Sequence, residues 1–133
     1  MKEFEDIKQA FELMDDWEER YQLIIDLGKQ LPQMPGELKM PENKVEGCTS
    51  QVWMVGSVDQ ERRFSFQADS DAHIVRGLIG LLMSIYQNKP VKEVTDFDIE
   101  KEFGEMGLES HISPNRRNGF YAMVGRIQQL AQA

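Results

Sequence analysis

Two segments decide the fold: Val52-Trp53-Met54-Val55-Gly56-Ser57-Val58 and Phe64-Ser65-Phe66-Gln67-Ala68. In both segments large apolar residues recur at every second position, which is the period of a strand with one buried face. The polar residues 59–61 between the segments favour a turn. The sequence therefore predicts a β-hairpin that packs one face against a core.

Helical periodicity precedes the hairpin. Apolar residues three or four positions apart predict a first helix between Phe4 and Met14. Asp15 followed by Glu18 predicts a capping box for a second helix. Residues 31–41, between this helix and the hairpin, are rich in proline and glycine and predict an extended connection.

Helical periodicity returns after the hairpin. The segment Ile74–Met83 is apolar on nearly all sides, which predicts a central buried helix, and Ser70 is the expected N-cap. Gly77 and Gly80 weaken such a helix by about 1 kcal/mol each relative to alanine, and close packing against the sheet is the expected compensation. Short helical pieces follow, and Ser113-Pro114 predicts the start of the last helix.

The order of these elements predicts the fold class. Because the strands are adjacent and no helical crossover separates them, we expect an α+β fold with a small antiparallel sheet, a hairpin plus an extra strand, packed by helices. The length of 133 residues fits one domain, which we expect to span residues 1–133.

Composition narrows the function classes. The net charge of −8 disfavours binding to nucleic acid and to anionic membrane surfaces. The longest apolar segment, Ile74–Tyr86, is shorter than the roughly 20 residues that a membrane span needs. The single cysteine excludes an intrachain disulfide, and the segment Met1–Asp6 carries early acids and no signal-peptide pattern. We therefore expect a cytoplasmic protein.

Cys48 is the candidate reactive group. It follows Gly47, which permits a tight turn, and precedes Thr49, Ser50 and Gln51, whose hydroxyl, amide and backbone N–H groups are donors for an anion. A thiolate is the form of cysteine that attacks sulfur. The alternative is an inert buried cysteine, but Cys48 lies at a polar turn outside any apolar stripe.

Metal binding and hydrolysis are two further chemistries open to a cysteine. The two histidines, His73 and His111, are scattered, and no CxxC or HxxxH spacing accompanies Cys48, so we expect no metal and no cofactor. A Cys–His hydrolase would use Cys48 as nucleophile and His111 as base. His111 is equally compatible with a surface or capping position before the last helix.

Three further residues are candidates for thiolate stabilisation or partner binding. Arg116 and Arg117 lie in the first turn of the last helix, where the helix dipole disfavours cations. An arginine beside Cys48 would lower the pKa of the thiol, whereas the alternative is a surface ion pair. Asp71 is either a helix-start acid or a contact to a partner or arginine.

Six blocks of the sequence resemble a known family. The chain closely resembles the SufE family of sulfur acceptor proteins, which includes the CsdE proteins. The blocks occur in order along nearly the whole chain: Trp17-Glu18-Glu19-Arg20-Tyr21, Leu31-Pro32, Val45-Glu46-Gly47-Cys48-Thr49-Ser50-Gln51-Val52-Trp53, Ala68-Asp69-Ser70-Asp71-Ala72-His73-Ile74-Val75-Arg76-Gly77-Leu78, Gly107-Leu108-Glu109-Ser110-His111-Ile112-Ser113-Pro114-Asn115-Arg116 and Gly119-Phe120-Tyr121-Ala122-Met123.

The resemblance implies a fold similar to that of the IscU-type scaffold proteins and a specific chemistry. Cys48 matches the family's essential cysteine, which receives persulfide sulfur from a pyridoxal-phosphate-dependent cysteine desulfurase (SufS- or CsdA-like) and stimulates that enzyme. The sulfur then passes to an iron–sulfur scaffold complex (SufBCD-like). Asp71 and Arg116 fall on family positions associated with the desulfurase interface and the surroundings of the cysteine. The resemblance thus implies an accessory carrier rather than a stand-alone enzyme.

Sulfur transfer sets expectations for the cysteine loop. Because a persulfide exposed to water is lost to oxidants and thiols, we expect a sheltered loop covered by Val45, Val52 and Trp53 that swings out on docking. Three other functions remain open: a CsdE-type acceptor for a different desulfurase and other pathways, a non-covalent desulfurase activator, and a thiol hydrolase. We expect a monomer or a weak homodimer.

Overall fold

The computed structural model describes residues 3–133. Met1 and Lys2, which belong to the expected domain and to the segment Met1–Asp6 that lacks a signal-peptide pattern, lie outside this range. Within it the elements run in the order α1 (Phe4–Leu13), α2 (Trp17–Lys29), β1 (Val52–Val58), β2 (Arg63–Ser70), α3 (His73–Tyr86), β3 (Lys89–Pro90), α4 (Val91–Asp96), α5 (Ile99–Glu105), α6 (Leu108–His111) and α7 (Pro114–Gln132). The predicted α+β class is confirmed.

The sheet has three antiparallel strands in the order β1-β2-β3. The hairpin register pairs Val52 with Ser70 and Val58 with Phe64, so the large apolar residues of both strands share one face. That face is buried beneath α3 and α7, and Met54 and Phe64 are fully enclosed. The predicted hairpin and its buried face are therefore confirmed.

The side-chain amide of Gln87 pairs with β2 at the edge where the short strand β3 ends. The Oε1 atom of Gln87 accepts from the backbone N–H of Phe66 at 2.8 Å, and its Nε2 atom donates to the carbonyl of Phe66 at 3.0 Å. The amide of Gln87 thus supplies the two hydrogen bonds that a further residue of a neighbouring strand would supply.

The central helix α3 packs most closely against α2. A Cβ atom on Gly28 would lie 2.7 Å from the backbone nitrogen of Gly77, and one on Gly80 would lie 3.0 Å from the Cβ of Leu27. The prediction that Gly77 and Gly80 pack against the sheet is therefore wrong, because both pack against α2. They allow the backbones of two helices to approach one another.

Three local predictions also differ from the structure. Asp16, not Asp15, caps α2, and its carboxylate accepts from the N–H of Glu19 at 2.8 Å. Ser70 ends β2, and its hydroxyl accepts from the N–H of Ala72, ahead of the first turn of α3. The connection before β1 is not simply extended, because it contains two 3₁₀ turns, Gly36–Leu38 and Pro41–Asn43. Ser113 caps α7 as predicted.

Candidate functional site

Cys48 lies in a loop that is closed at its base by backbone pairing. The N–H of Val45 donates to the carbonyl of Val52 at 2.9 Å, and Lys44 forms an antiparallel bridge with Trp53. Between these two ends the chain turns at Gly47, whose φ of +90° is rarely adopted by other residues. The loop therefore has a fixed base and places Cys48 near its apex.

Asp71 fastens the end of the loop that precedes β1. Its Oδ1 atom accepts from the N–H of Gln51 at 3.1 Å, and its own N–H donates to the carbonyl of Gln51 at 3.3 Å. Because the N–H of Gln51 is engaged in this pairing, it is not free to stabilise a thiolate, contrary to the expectation for that group. Asp71 itself is exposed. Its observed contact is with the loop.

The loop lies on the small residues of α7. The thiol of Cys48 donates a weak hydrogen bond to the carbonyl of Gly119, with Sγ and O 3.6 Å apart. A Cβ atom at Gly119 would lie 3.5 Å from Sγ, and one at Gly47 would lie 3.3 Å from the Cβ of Ala122. Gly119 was not predicted as a site residue, because its role depends on a loop that is 71 residues away in the chain.

A cavity of about 20 Å³ adjoins the half-buried Cys48. This volume is about that of one water-sized probe. Its walls are mainly apolar and come from the loop, α3 and α7. The lining residues are Cys48, Thr49, Ser50, Val52, Val75, Leu78, Asn115, Arg116, Gly119, Phe120 and Met123.

The predicted apolar cover is right only for Val52. Val45 is buried but borders a separate cleft with Ala122, and Trp53 points to the opposite face of β1, where the Nζ atom of Lys39 lies 5.4 Å from the ring centroid. The remaining cover comes from α3 and α7, which the local sequence around Cys48 does not reveal.

Arg116, and not Arg117, lies at the cavity. Its Nη1 atom is buried and has no hydrogen-bond partner among residues 3–133. Arg117 points away from the cavity, because its Nη1 atom donates to the carbonyl of Glu109 at 2.9 Å. An unpartnered buried guanidinium nitrogen has hydrogen-bonding capacity left for an anion.

The surroundings of Cys48 favour the protonated thiol. Burial raises the pKa of Cys48, and the negative charge of Glu46 raises it further. This direction is opposite to the lowering that the first alternative, an arginine beside the thiol, would produce. A protonated thiol agrees with the donation from Sγ to Gly119.

Neither histidine lines the cavity. His111 stacks on Trp17, with the ring centroids 3.7 Å apart, and His73 borders a separate cleft beside Arg76. The cavity therefore lacks the base that a Cys–His hydrolase would use. Within the described range no group of three or more His, Cys, Asp or Glu side chains is arranged to hold a metal ion. No helix in residues 3–133 is long and apolar enough to cross a membrane.

Comparison with known proteins gives consistent matches. The SufE family model, described as an Fe-S metabolism associated domain, matches residues 5–131. A SufE-like protein of Rhizobium etli is 44% identical over 99% of this chain and 91% of the relative. A SufE-like protein of Rhizobium meliloti is 41% identical over 99% of this chain and 96% of the relative.

The fold also matches a solved structure. The solution structure of a hypothetical protein from Thermus thermophilus superimposes with a TM-score of 0.79, covering 97% of this chain and 93% of the other, at 18% sequence identity. At this level of identity the likeness concerns the fold alone.

Proposed function

Because this chain belongs to the SufE family and therefore has a role in Fe–S metabolism, we propose that Cys48 is a sulfur carrier. In this proposal Cys48 accepts a persulfide sulfur from a cysteine desulfurase, stimulates that enzyme by removing its product, and passes the sulfur to an iron–sulfur scaffold. Gly47, Thr49, Ser50 and Gln51 form the loop that presents the thiol.

The observation that carries the proposal is the pairing of the only cysteine with a small, mostly apolar cavity and an unpartnered arginine nitrogen. The terminal sulfur of an ionised persulfide is an anion. Arg116 lines the cavity, and its buried Nη1 atom has no hydrogen-bond partner in the described part of the chain. In this proposal the mainly apolar walls shelter the carried sulfur from thiols and oxidants in solution. Arg116 is therefore proposed as the residue that stabilises the carried sulfur.

The transfer step needs no outside oxidant. The Cys48 thiolate attacks the terminal sulfur of the desulfurase persulfide, and a new S–S bond forms at Cys48. The S–S bond of the donor breaks, and its electron pair leaves with the desulfurase cysteine as a thiolate. One S–S bond replaces another, so the step moves a sulfur atom without net oxidation or reduction.

Docking has to change the surroundings of Cys48 before this step. In the resting structure burial and Glu46 raise the pKa of the thiol, and its proton points to Gly119. We propose that the loop leaves α7 on docking, because the one hydrogen bond that joins Cys48 to that helix within residues 3–133 is a weak sulfur bond. Once the thiol is away from the apolar walls, the burial that raises its pKa is relieved and the thiolate can form.

The charge of the protein bears on its partners, and its core bears on the extent of the functional unit. The net charge of −8 favours a partner with a basic surface at the docking site. We also propose that residues 1–133 act as one unit, a view supported by a single hydrophobic cluster that includes both Phe4 and Ala131.

Labelled sulfur tests the proposal. Wild-type protein and Cys48→Ser are incubated with a cysteine desulfurase and cysteine carrying radioactive sulfur, and protein-bound label and desulfurase turnover are both measured. We expect label on the wild type and essentially none on Cys48→Ser, since serine cannot form a persulfide. Label at the wild-type level on Cys48→Ser would refute the carrier role. Full stimulation by Cys48→Ser without label would support the non-covalent activator instead.

A further inference from the structure

An aromatic contact joins the start of α2 to the junction between α6 and α7. The rings of Trp17 and His111 are stacked, with centroids 3.7 Å apart and planes 11° apart. The hydroxyl of Tyr21 donates to the carbonyl of His111. At Gly107, where φ is +76°, a Cβ atom would lie 3.1 Å from Cζ2 of Trp17. The α6 segment is therefore fitted closely to the indole.

Trp17 is itself held in place from the side of α1. The guanidinium carbon of Arg20 lies 4.9 Å from the Trp17 ring centroid and 5.2 Å from that of Phe11. The same guanidinium donates to the carbonyls of Phe11 at 3.1 Å and Met14 at 2.9 Å. Since these bonds fix Arg20 to the turn between two helices, the indole surface that meets His111 is preorganised.

The junction leads directly to the Cys48 cavity. His111 ends α6, the buried Ile112 follows, and Ser113 caps α7 by accepting from the N–H of Arg116 at 3.2 Å. Asn115 and Arg116, in the first turn of α7, line the cavity. A shift of His111 would therefore move the turn that carries Arg116.

We propose that Trp17 and Tyr21 are positioning residues for the Cys48 site, because they hold the α6–α7 junction where Arg116 lies at the cavity. This inference rests on the proposed function, since it concerns the stability of the sulfur that Cys48 would carry. Neither Trp17 nor Tyr21 lines the cavity. Their effect on the site is therefore expected to pass through Arg116.

A double-mutant cycle tests this dependence. Wild type, Tyr21→Phe, Arg116→Ala and the double variant are loaded with inorganic polysulfide, whose sulfur forms a bond to the Cys48 thiolate while the shortened polysulfide leaves with the electron pair. Intact mass then follows the loss of the bound sulfur. We expect Tyr21→Phe to lose it about three- to tenfold faster than wild type, the effect of one hydrogen bond on positioning. In the Arg116→Ala background the same change should add less than about twofold.

A second variant and a matched control separate positioning from folding. His111→Ala, which removes the stacked ring but keeps the carbonyl, should act in the same direction as Tyr21→Phe. Gln22→Ala, next to Tyr21 but bonded through its side chain to Asp26 at 2.9 Å, should behave as wild type. Thermal melting of every variant checks that the protein is folded. No change in Tyr21→Phe, or an equal effect in both Arg116 backgrounds, would overturn the proposal.

A readout without sulfur transfer keeps the two hypotheses apart. The pH profile of Cys48 alkylation is measured for the same four proteins, and Tyr21→Phe should shift it only when Arg116 is present. If wild type holds no polysulfide-derived sulfur, the carrier function fails, and the alkylation profiles alone decide whether Tyr21 acts through Arg116.

Discussion

The contact between α2 and α3 and the contact between the Cys48 loop and α7 both depend on glycine, but they differ in how much space the glycines leave. Between the helices a Cβ atom on Gly28 or Gly80 would collide with or press on the facing helix, at 2.7 and 3.0 Å. Under the loop a Cβ atom on Gly119 would meet Cys48 Sγ at an ordinary 3.5 Å. The first contact is a close approach of two backbones. The second is an ordinary van der Waals contact, which agrees with the proposal that the loop leaves α7 on docking.

The largest expected effect comes from filling the close contact between α2 and α3. Gly77→Ala would place a methyl group against the backbone carbonyl of Ile24, which cannot move without displacing α2. We expect the free energy of unfolding to fall by about 3 kcal/mol, the upper part of the usual range for an overpacked core. Chemical denaturation monitored by circular dichroism measures this change.

Gly125→Ala is the matched control for that substitution. Gly125 also lies inside a helix, α7, but a Cβ atom there would meet nothing within 4 Å. Alanine should therefore stabilise the protein by up to about 1 kcal/mol through helix propensity. If both alanines changed stability equally, close helix packing would not explain Gly77.

A smaller effect is expected from releasing the loop. Asp71→Ala removes the carboxylate that accepts from the N–H of Gln51, which loosens the end of the loop before β1. We expect Cys48 alkylation at a fixed pH to accelerate about fivefold, because one hydrogen bond of roughly 1 kcal/mol no longer holds the sheltered conformation.

Asp71→Asn is the control, because its amide oxygen can still accept from Gln51 while the charge is lost. Its alkylation rate should stay near that of wild type. If Asp71→Asn and Asp71→Ala accelerated the reaction equally, the charge of Asp71 rather than its hydrogen bond would restrain the loop.

The smallest expected effect concerns the charge beside the thiol. Since Glu46 raises the pKa of Cys48, Glu46→Gln should lower that pKa and increase the thiolate fraction at neutral pH. We expect alkylation about twofold faster at neutral pH, with the gain vanishing at high pH, where the thiol is ionised in both proteins. Glu37→Gln, in the exposed connection before β1, should leave the profile unchanged. An equal shift in that variant would point to overall charge.

The sequence predicted those parts of the fold that depend on local periodicity. Alternation between Val52 and Ala68 was sufficient for the hairpin, and Ser113-Pro114 was sufficient for the start of α7. The packing of Gly77 was not predictable in this way. A helix that is apolar on nearly all sides can face a sheet or another helix equally well, and only the tertiary structure selects α2 as its neighbour.

In the candidate site, too, only the residues that are neighbours in the sequence could be predicted. Gly47 and Cys48 adjoin in the sequence, so their loop was visible from local chemistry and from the family blocks. Gly119, Phe120 and Met123 approach it only when α7 crosses β1, and that approach also buries the thiol. Burial and the negative charge of Glu46 both raise the Cys48 pKa, so the shift is opposite to the one that a neighbouring arginine would cause.

The amide of Gln87 has a consequence for how the protein behaves in a crowded solution. An unpaired strand margin is a template on which other chains can polymerise. Along β2 the margin is closed by β3 and, one step further, by the Gln87 amide at Phe66. The short strand β3 and one side-chain amide together leave fewer free backbone groups at this margin for another chain to pair with.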